Sequence, residues 1–175
     1  MPHLKRDPFP ARHPIHVTLR VQPGTGYLRG WRRVQAIEAA IRKARIRFGV
    51  RIIHYAILGN HLHLIVEAEG AASLSRGMQG LCVRLARRLN ALAARRGAVF
   101  ADRYHSHVLG SRRETARAVA YVRDNYRHHT LEHLARDWTD PFSSARFLAA
   151  KPGDDAPVAE PRTWLLRVGW RQEPP

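Results

Sequence analysis

The stretch that decides the fold is Tyr55-Ala56-Ile57-Leu58-Gly59-Asn60-His61-Leu62-His63-Leu64-Ile65-Val66-Glu67. Side chains of a β-strand alternate between its two faces, so His61 and His63 point one way while Leu62, Leu64 and Val66 point the other way. One face can therefore join a hydrophobic core while the other offers two imidazoles to a single metal ion. Half-exposed strands also carry such pairs without binding anything, so the interpretation depends on the rest of the chain.

Hydrophobic spacing on both sides of this stretch predicts an alternation of strands and helices. Strands are predicted over 15–21, 51–58, 61–67 and 104–109, with Gly59-Asn60 as a tight turn or bulge between the middle two. Helices are predicted over 31–48, ended by Gly49, over 73–95, ended by Gly97, and from Ser111 to about residue 127 or 129. Ser111 and Glu114 match a capping box at the start of that third helix.

The order of these elements predicts the fold class. A β-α-β-β-α-β succession with a further helix indicates an α+β domain, with a ferredoxin-like or RRM-like antiparallel sheet and helices packed on it. We expect a flexible basic arm over 1–13, the folded domain over 14–150, and a linker with a basic and apolar tail over 151–175. Within that tail, the segment 163–170 is expected to dock back onto the domain as a C-terminal helical extension.

The charge balance points to a polyanionic partner. The chain has 30 Lys and Arg residues against 14 Asp and Glu residues, a formal charge of +16. Such an excess favours nucleic acid first and an anionic membrane surface second. All but three of the basic residues are arginine, whose planar guanidinium binds phosphate through two parallel hydrogen bonds. A GC-rich genome also enriches arginine, but it does not explain the net charge.

The remaining composition excludes several classes of protein. Cys82 is the sole cysteine, so an internal disulfide framework is excluded. The first residues lack the apolar core of a secretion signal, and no run approaches the roughly 18 apolar residues of a membrane span. We therefore expect a cytoplasmic protein without membrane contact, associated with the nucleoid through its nucleic-acid partner.

The predicted third helix carries the second informative pattern. Arg117, Tyr121, Asn125 and then His128 or His129 are spaced by three or four residues and so share one helix face. The opposite face, expected to pack on the core, comprises Ala116, Val119, Ala120 and the stem of Arg123. A tyrosine among an arginine, an amide and histidines suits phosphate chemistry. The ordinary alternative is a half-buried tyrosine with solvated neighbours.

These motifs, taken in order, resemble those of the HUH single-tyrosine transposases, and most closely the REP-associated tyrosine transposases. The resemblance covers about residues 14–148. It is carried by His16-Val17-Thr18-Leu19-Arg20, Asn60-His61-Leu62-His63, Phe100-Ala101-Asp102-Arg103-Tyr104-His105 and Tyr121-Val122-Arg123-Asp124-Asn125.

The resemblance implies a reaction and a set of site residues. The reaction is metal-dependent cleavage and rejoining of single-stranded DNA at a hairpin, or palindrome, through a 5′-phosphotyrosine intermediate. Tyr121 is the implied nucleophile, and His61 and His63 are the implied ligands of Mg²⁺ or Mn²⁺, with Asn125 as a third ligand. Many relatives have proline after that asparagine, whereas this chain has Tyr126, so Glu67 is an alternative ligand on the same strand face as the histidines.

The resemblance also implies the partners. Single-stranded or hairpin DNA is the expected partner, no small-molecule cofactor is expected, and the protein is a monomer or a homodimer. The arginines expected to contact DNA are Arg84, Arg87, Arg88, Arg95, Arg96, Arg103, Arg117 and Arg123. For the arginines of the second helix, a merely solvated helix face is the alternative.

Two other functions remain open from the residues. Two-histidine phosphoesterases use a pair of His-x-Thr motifs, and this chain has His16/Thr18 and His128/Thr130. The second motif, however, falls on or just after a helix instead of on a strand, and this interpretation leaves His61, His63 and Tyr121 unexplained. The other alternative is a non-catalytic or domesticated nucleic-acid-binding protein that keeps the charge without the chemistry.

Overall fold

The architecture is an antiparallel sheet of five strands with helices on both faces. The computed structural model describes residues 8–130, 138–147 and 156–172, and for 127–130 it describes the backbone alone. The strand order is β2-β3-β4-β1-β5. The strands are β1 (Ile15–Arg20), β2 (Ile46–Arg47), β3 (Val50–Ile57), β4 (His61–Ala68) and β5 (His105–Val108). The predicted α+β, ferredoxin-like fold class is confirmed.

The helices divide between the two faces of the sheet. They are α1 (Trp31–Ala44), α2 (Ala71–Leu92), α3 (Arg112–Thr130) and α4 (Trp164–Arg167), with short 3₁₀ helices at Ser144–Phe147 and Gly169–Gln172. The first two pack on each other and on one sheet face, forming the larger core. The third packs on the opposite face, over β3 and β4, together with the C-terminal residues. Among the described helices, none combines the length and apolarity that a membrane crossing needs.

Strand β4 fulfils the alternation expected of it. Leu62, Leu64 and Val66 are buried in the larger core under α1 and α2. Ile65, on the other face, is buried under α3. His61 and His63 share the face of Ile65, because residues two apart in a strand point the same way. In the register between β1 and β4, His63 lies opposite Thr18 and His61 lies opposite Arg20.

The first two helices end earlier than predicted. Helix α1 stops at Ala44 because Ile46 and Arg47 leave it to pair with β3, and Phe48 and Gly49, both with positive φ, form the turn. Gly49 therefore serves a hairpin and does not cap the helix. Helix α2 stops at Leu92, where the N–H of Arg95 donates to the carbonyl of Asn90 over 3.0 Å and Ala94 takes a left-handed conformation.

Helix α3 begins as its sequence predicts. The N–H of Glu114 donates to Ser111 Oγ over 3.2 Å, and the N–H of Ser111 donates to Glu114 Oε2 over 3.1 Å, which is the reciprocal capping box. The residues buried against the sheet include the expected Ala116 and Val119, together with Ala118 and Val122.

The predictions for the two termini need correction where the structure describes them. Phe9, placed by the sequence in a loose arm, packs partly buried against the core; residues 1–7 lie outside the described range. The last part of the expected linker is also packed, because the N–H of Ala159 donates to the carbonyl of Ile52 over 2.8 Å, and Arg45 donates to the carbonyl of Ala156 over 2.6 Å. The docking of the tail is confirmed by the burial of Leu166 against α3.

Candidate active site

The histidine pair of β4 and the tyrosine of α3 meet on the same side of the sheet. The ring centroids of His61 and His63 are 4.8 Å apart, and those of His63 and Tyr121 are 5.2 Å apart. The capping box and the apolar contacts of Val119 and Val122 fix the helix over the strand, so Tyr121 lies above the histidines. Tyr121 keeps 37% of its surface exposed, which leaves the phenol accessible from solvent. The structure therefore brings three of the predicted site residues into one cleft.

A neighbouring amide fixes the proton position of His61. His61 Nδ1 lies 2.7 Å from Asn60 Oδ1, an acceptor, so Nδ1 carries the proton of a neutral imidazole. The lone pair is then at Nε2, where it is available to a metal ion.

A second histidine, His16 on β1, performs the same task for His63. His16 Nε2 lies 3.0 Å from His63 Nδ1, and Thr18 Oγ1 lies 3.2 Å from the same atom. Burial, together with the neighbouring His107 and His105, lowers the pKa of His16 to about 4. His16 is thus neutral at pH 7 and can accept the Nδ1 proton of His63, which leaves the lone pair of His63 at Nε2.

Asn125 lies one helical turn after Tyr121 and is completely buried. Its side chain is 0% exposed, and among the described residues neither its amide oxygen nor its amide nitrogen has a hydrogen-bond partner. A buried amide without partners is destabilising by about 1–3 kcal/mol, so such a group commonly meets a water molecule, an ion or a substrate atom, or has a catalytic role. Its burial differs from the exposure of Arg117 on the same predicted polar face. The continuation of the helix to Thr130 shows that Tyr126, in place of proline, does not end α3.

Glu67, the alternative ligand, is occupied elsewhere. Its carboxylate accepts from the N–H groups of Arg162 and Thr163 at 2.7–2.9 Å, and Arg51 Nε lies 3.7 Å from it. The strand rise separates it from His63 by about 13 Å along β4. The structure therefore does not bring Glu67 to the histidine pair, and this carboxylate anchors the C-terminal segment instead.

The donor set around the pair fits a divalent cation with an incomplete protein shell. Two imidazoles in the correct tautomer suit such an ion, and the buried Asn125, one helical turn after Tyr121, has an amide oxygen with unused hydrogen-bonding capacity. No group of three or more His, Cys, Asp or Glu side chains that could hold a metal occurs in the described part of the chain. Imidazole nitrogen prefers transition metals to Mg²⁺, so of the two expected ions the set favours Mn²⁺.

The arginines expected to contact DNA fall into different environments. Helix α2 covers the sheet face opposite the histidines, so its arginines do not line the cleft. Arg95 is partly buried and donates to Thr25 Oγ1 and to the carbonyl of Ala98, which is a structural role. Arg84 and Arg123 are also partly buried, whereas the exposed members are Arg87, Arg88, Arg96, Arg103 and Arg117.

The first His-x-Thr motif, His16 and Thr18, has a different role in the structure from the one that the two-histidine phosphoesterase alternative assigns to it. His16 and Thr18 both contact His63, and the side chains of His128 and Thr130 lie outside the described residues. The sequence did not assign His16 and Asn60 to the histidine pair. The adjacency of Asn60 to His61 was a usable signal, but the contact of His16 depends on the register between β1 and β4, which no local pattern encodes.

Comparison with known proteins identifies the family of the chain. The family model described as "Transposase IS200 like" matches residues 11–125, a range that includes both histidines, Tyr121 and Asn125. The chain belongs to the IS200-like transposase family. No curated protein matches it.

Two solved structures of transposases are similar to this family member. One is described as the structure of a REP-associated tyrosine transposase bound to a REP hairpin, with 18% identity, a TM-score of 0.65, and coverage of 86% of this chain and 87% of that chain. The other is a putative transposase from Deinococcus radiodurans, with 14% identity, a TM-score of 0.45, and coverage of 62% and 87%. The first shows that the fold of this chain is that of a REP-associated tyrosine transposase.

Proposed function

We propose that this IS200-like transposase cleaves and rejoins single-stranded DNA beside a hairpin, with Tyr121 as the nucleophile and His61 and His63 as ligands of Mn²⁺ or Mg²⁺. The observation that carries the proposal is the convergence of Tyr121 on the histidine pair, with 5.2 Å between the ring centroids of Tyr121 and His63. The solved transposase of the same fold was bound to a hairpin, which supports hairpin DNA as the partner.

The cleavage step forms one ester and breaks another. The Tyr121 oxygen attacks the scissile phosphorus, the bond from phosphorus to the 3′-oxygen breaks, and the proton lost by the phenol is balanced by the one that the 3′-hydroxyl gains. The 5′-phosphate then remains on Tyr121. A divalent cation bound at the pair would polarise the phosphate and favour the phenolate. Rejoining reverses these bond changes with an incoming 3′-hydroxyl, so no nucleotide triphosphate is needed.

Other side chains of the cleft hold the reacting groups in place. Asn60 and His16 fix the tautomers of the two histidines, and Arg117, exposed four residues before Tyr121, is positioned to bind phosphate of the same strand. Because Tyr121, His61 and His63 of one chain meet, a monomer contains all three of these residues, which we call the catalytic set.

The decisive experiment looks for the covalent intermediate. Purified protein is incubated with end-labelled hairpin DNA carrying single-stranded extensions and with Mn²⁺ or Mg²⁺, and adducts are resolved on a denaturing gel. We expect an adduct that is lost in Tyr121→Phe, in His61→Ala and after chelation. Trp31→Phe, a change at an exposed aromatic side chain on α1, should retain the adduct.

Two outcomes would overturn the assignment. Cleavage that survives Tyr121→Phe and chelation but is lost in His16→Ala would support the two-histidine phosphoesterase. Hairpin binding without any adduct would support a non-catalytic DNA-binding protein.

A further inference from the structure

A groove beside His61 remains outside the catalytic set. It has a volume of about 770 Å³, within the range of ligand-binding pockets, and it lies between the end of β1 and the turn that joins β3 to β4. Its walls include Arg20, Gln22, Tyr27, Gly59, Asn60 and Ala101. We call it the Tyr27 groove. Asn60, which contacts His61 Nδ1, forms part of its wall, and Arg20 lies opposite His61 in the sheet register, so the groove adjoins the residues that flank His61.

The backbone of the groove is held rigidly. The N–H of Val21 donates to the carbonyl of Asn60 over 3.0 Å, and the N–H of Leu28 donates to the carbonyl of Gly59 over 2.8 Å. These two bonds fasten both ends of the loop that follows β1 to the turn that precedes His61. Because the walls of the groove are already fixed, little conformational entropy of the protein is lost when a ligand binds.

Tyr27 is exposed but held in position. It keeps 58% of its surface exposed, yet a Cβ built on Gly59 would lie only 2.9 Å from Tyr27 Cε2, so the ring edge rests directly on that glycine. Desolvation and the neighbouring Tyr126 raise the pKa of Tyr27, while Arg29 lowers it. Tyr27 thus lies beside Tyr126 of α3, and more than half of its surface stays open to solvent.

Tyr126 connects the groove to Arg29 and to α3. The guanidinium carbon of Arg29 lies 3.4 Å from the centroid of the Tyr126 ring, and Arg29 forms a bidentate ion pair with the buried Asp140. Arg29 also donates to the carbonyl of Ile57, at the end of β3, over 2.8 Å. Arg29 and Tyr126 thus support the aromatic ring of the groove.

We infer that the Tyr27 groove binds an unpaired nucleotide of the DNA strand adjoining the scissile phosphate, with its base stacked on Tyr27. An exposed and immobilised aromatic ring is the usual surface for a single-stranded base, and Arg20 supplies a positive charge for the neighbouring phosphate. The inference rests on the proposed function, because the scissile strand must pass the histidine pair. It adds a substrate-binding site that the catalytic set does not contain.

The test compares affinities in the Tyr121→Phe background without metal, so that no cleavage occurs. The probes are a DNA hairpin, the same hairpin with a (dT)10 extension, and (dT)10 alone. We expect the extension to increase the affinity about tenfold or more, which is a usual contribution of a base stacked on an aromatic ring. Tyr27→Ala should remove most of this increase in affinity. Tyr27→Phe keeps the ring and should keep most of the gain. Trp31→Ala, at an aromatic ring equally exposed but outside the groove, should leave it unchanged.

A crosslinking measurement identifies the stacked residue directly. With 5-iodouracil in the extension, we expect irradiation to join the base to the peptide containing Tyr27. Equal extension gains in the parent and Tyr27→Ala, or a crosslink mapped elsewhere, would overturn the inference. If the hairpin itself is not recognised, that result counts against the proposed function, whereas (dT)10 alone still tests the groove.

Discussion

At the scale of single residues, the site depends on side chains that never touch the reacting atoms. His63 is oriented by His16, and His61 by Asn60, through contacts of 3.0 and 2.7 Å. Outer contacts of this kind decide which ring nitrogen carries the proton and commonly change metal affinity by 10- to 100-fold. The histidine pair should therefore be as sensitive to these neighbours as to substitution of the ligands.

We predict that His16→Ala weakens Mn²⁺ binding by about 10- to 100-fold, because His63 loses the acceptor that fixes its tautomer. Isothermal titration with Mn²⁺ measures the loss, and ¹⁵N chemical shifts of His63 report the tautomer. His107→Ala is the matched control, since His107 lies opposite His16 in the register but is exposed and lies 3.7 Å from Glu114. Unchanged Mn²⁺ affinity in His16→Ala would exclude the orienting role.

At the scale of elements, the periodic spacing of hydrophobic residues predicted the main strands and helices. It did not predict where the first two helices end or what the residues after them form. The alternation around His61 and the capping box of α3 are local signals, and the structure confirms both. Strand β2 has only two residues, both exposed, so no period reveals it. The packing of 156–163 was also hidden, because it depends on Arg45, Ile52 and Glu67, which lie 95 or more residues earlier in the chain.

Substitution of Glu67 can distinguish whether its carboxylate anchors the C-terminal segment or binds the metal ion. Glu67→Gln removes the negative charge that accepts the N–H groups of Arg162 and Thr163 before α4. We predict a loss of about 1–3 kcal/mol in the free energy of unfolding and faster amide exchange over 162–167, with Mn²⁺ affinity unchanged. Denaturant unfolding and exchange mass spectrometry measure these effects, and Glu69→Gln, at an exposed position, is the control. A fall in Mn²⁺ affinity would instead restore Glu67 as a ligand.

At the scale of the whole molecule, buried neutral histidine makes stability depend on pH. His54 lies in the interior beside Ser144, and burial, with Arg123 and Arg171 nearby, lowers its pKa to about 4. The unfolded chain binds a proton at this residue below about pH 6.5, whereas the folded chain does so only near pH 4. The free energy of unfolding must therefore decrease as the pH falls from 6.5 towards 4.

We predict that His54 alone accounts for about 2 kcal/mol of lost stability between pH 7 and pH 5. Urea unfolding of the wild type and of His54→Gln at both pH values measures this, and the variant should show a correspondingly smaller decrease. Identical decreases in the two proteins would mean that His54 is already protonated in the folded state or stays neutral in both states.

The placement of one phenol beside the imidazoles of its own chain sets a limit on what a single copy can do. Under the proposed chemistry, each molecule can hold one cleaved DNA end covalently at a time. Its tyrosine stays esterified until the 3′-hydroxyl of another end displaces it. Joining two distant ends is then a question of timing within one copy or of encounter between two copies.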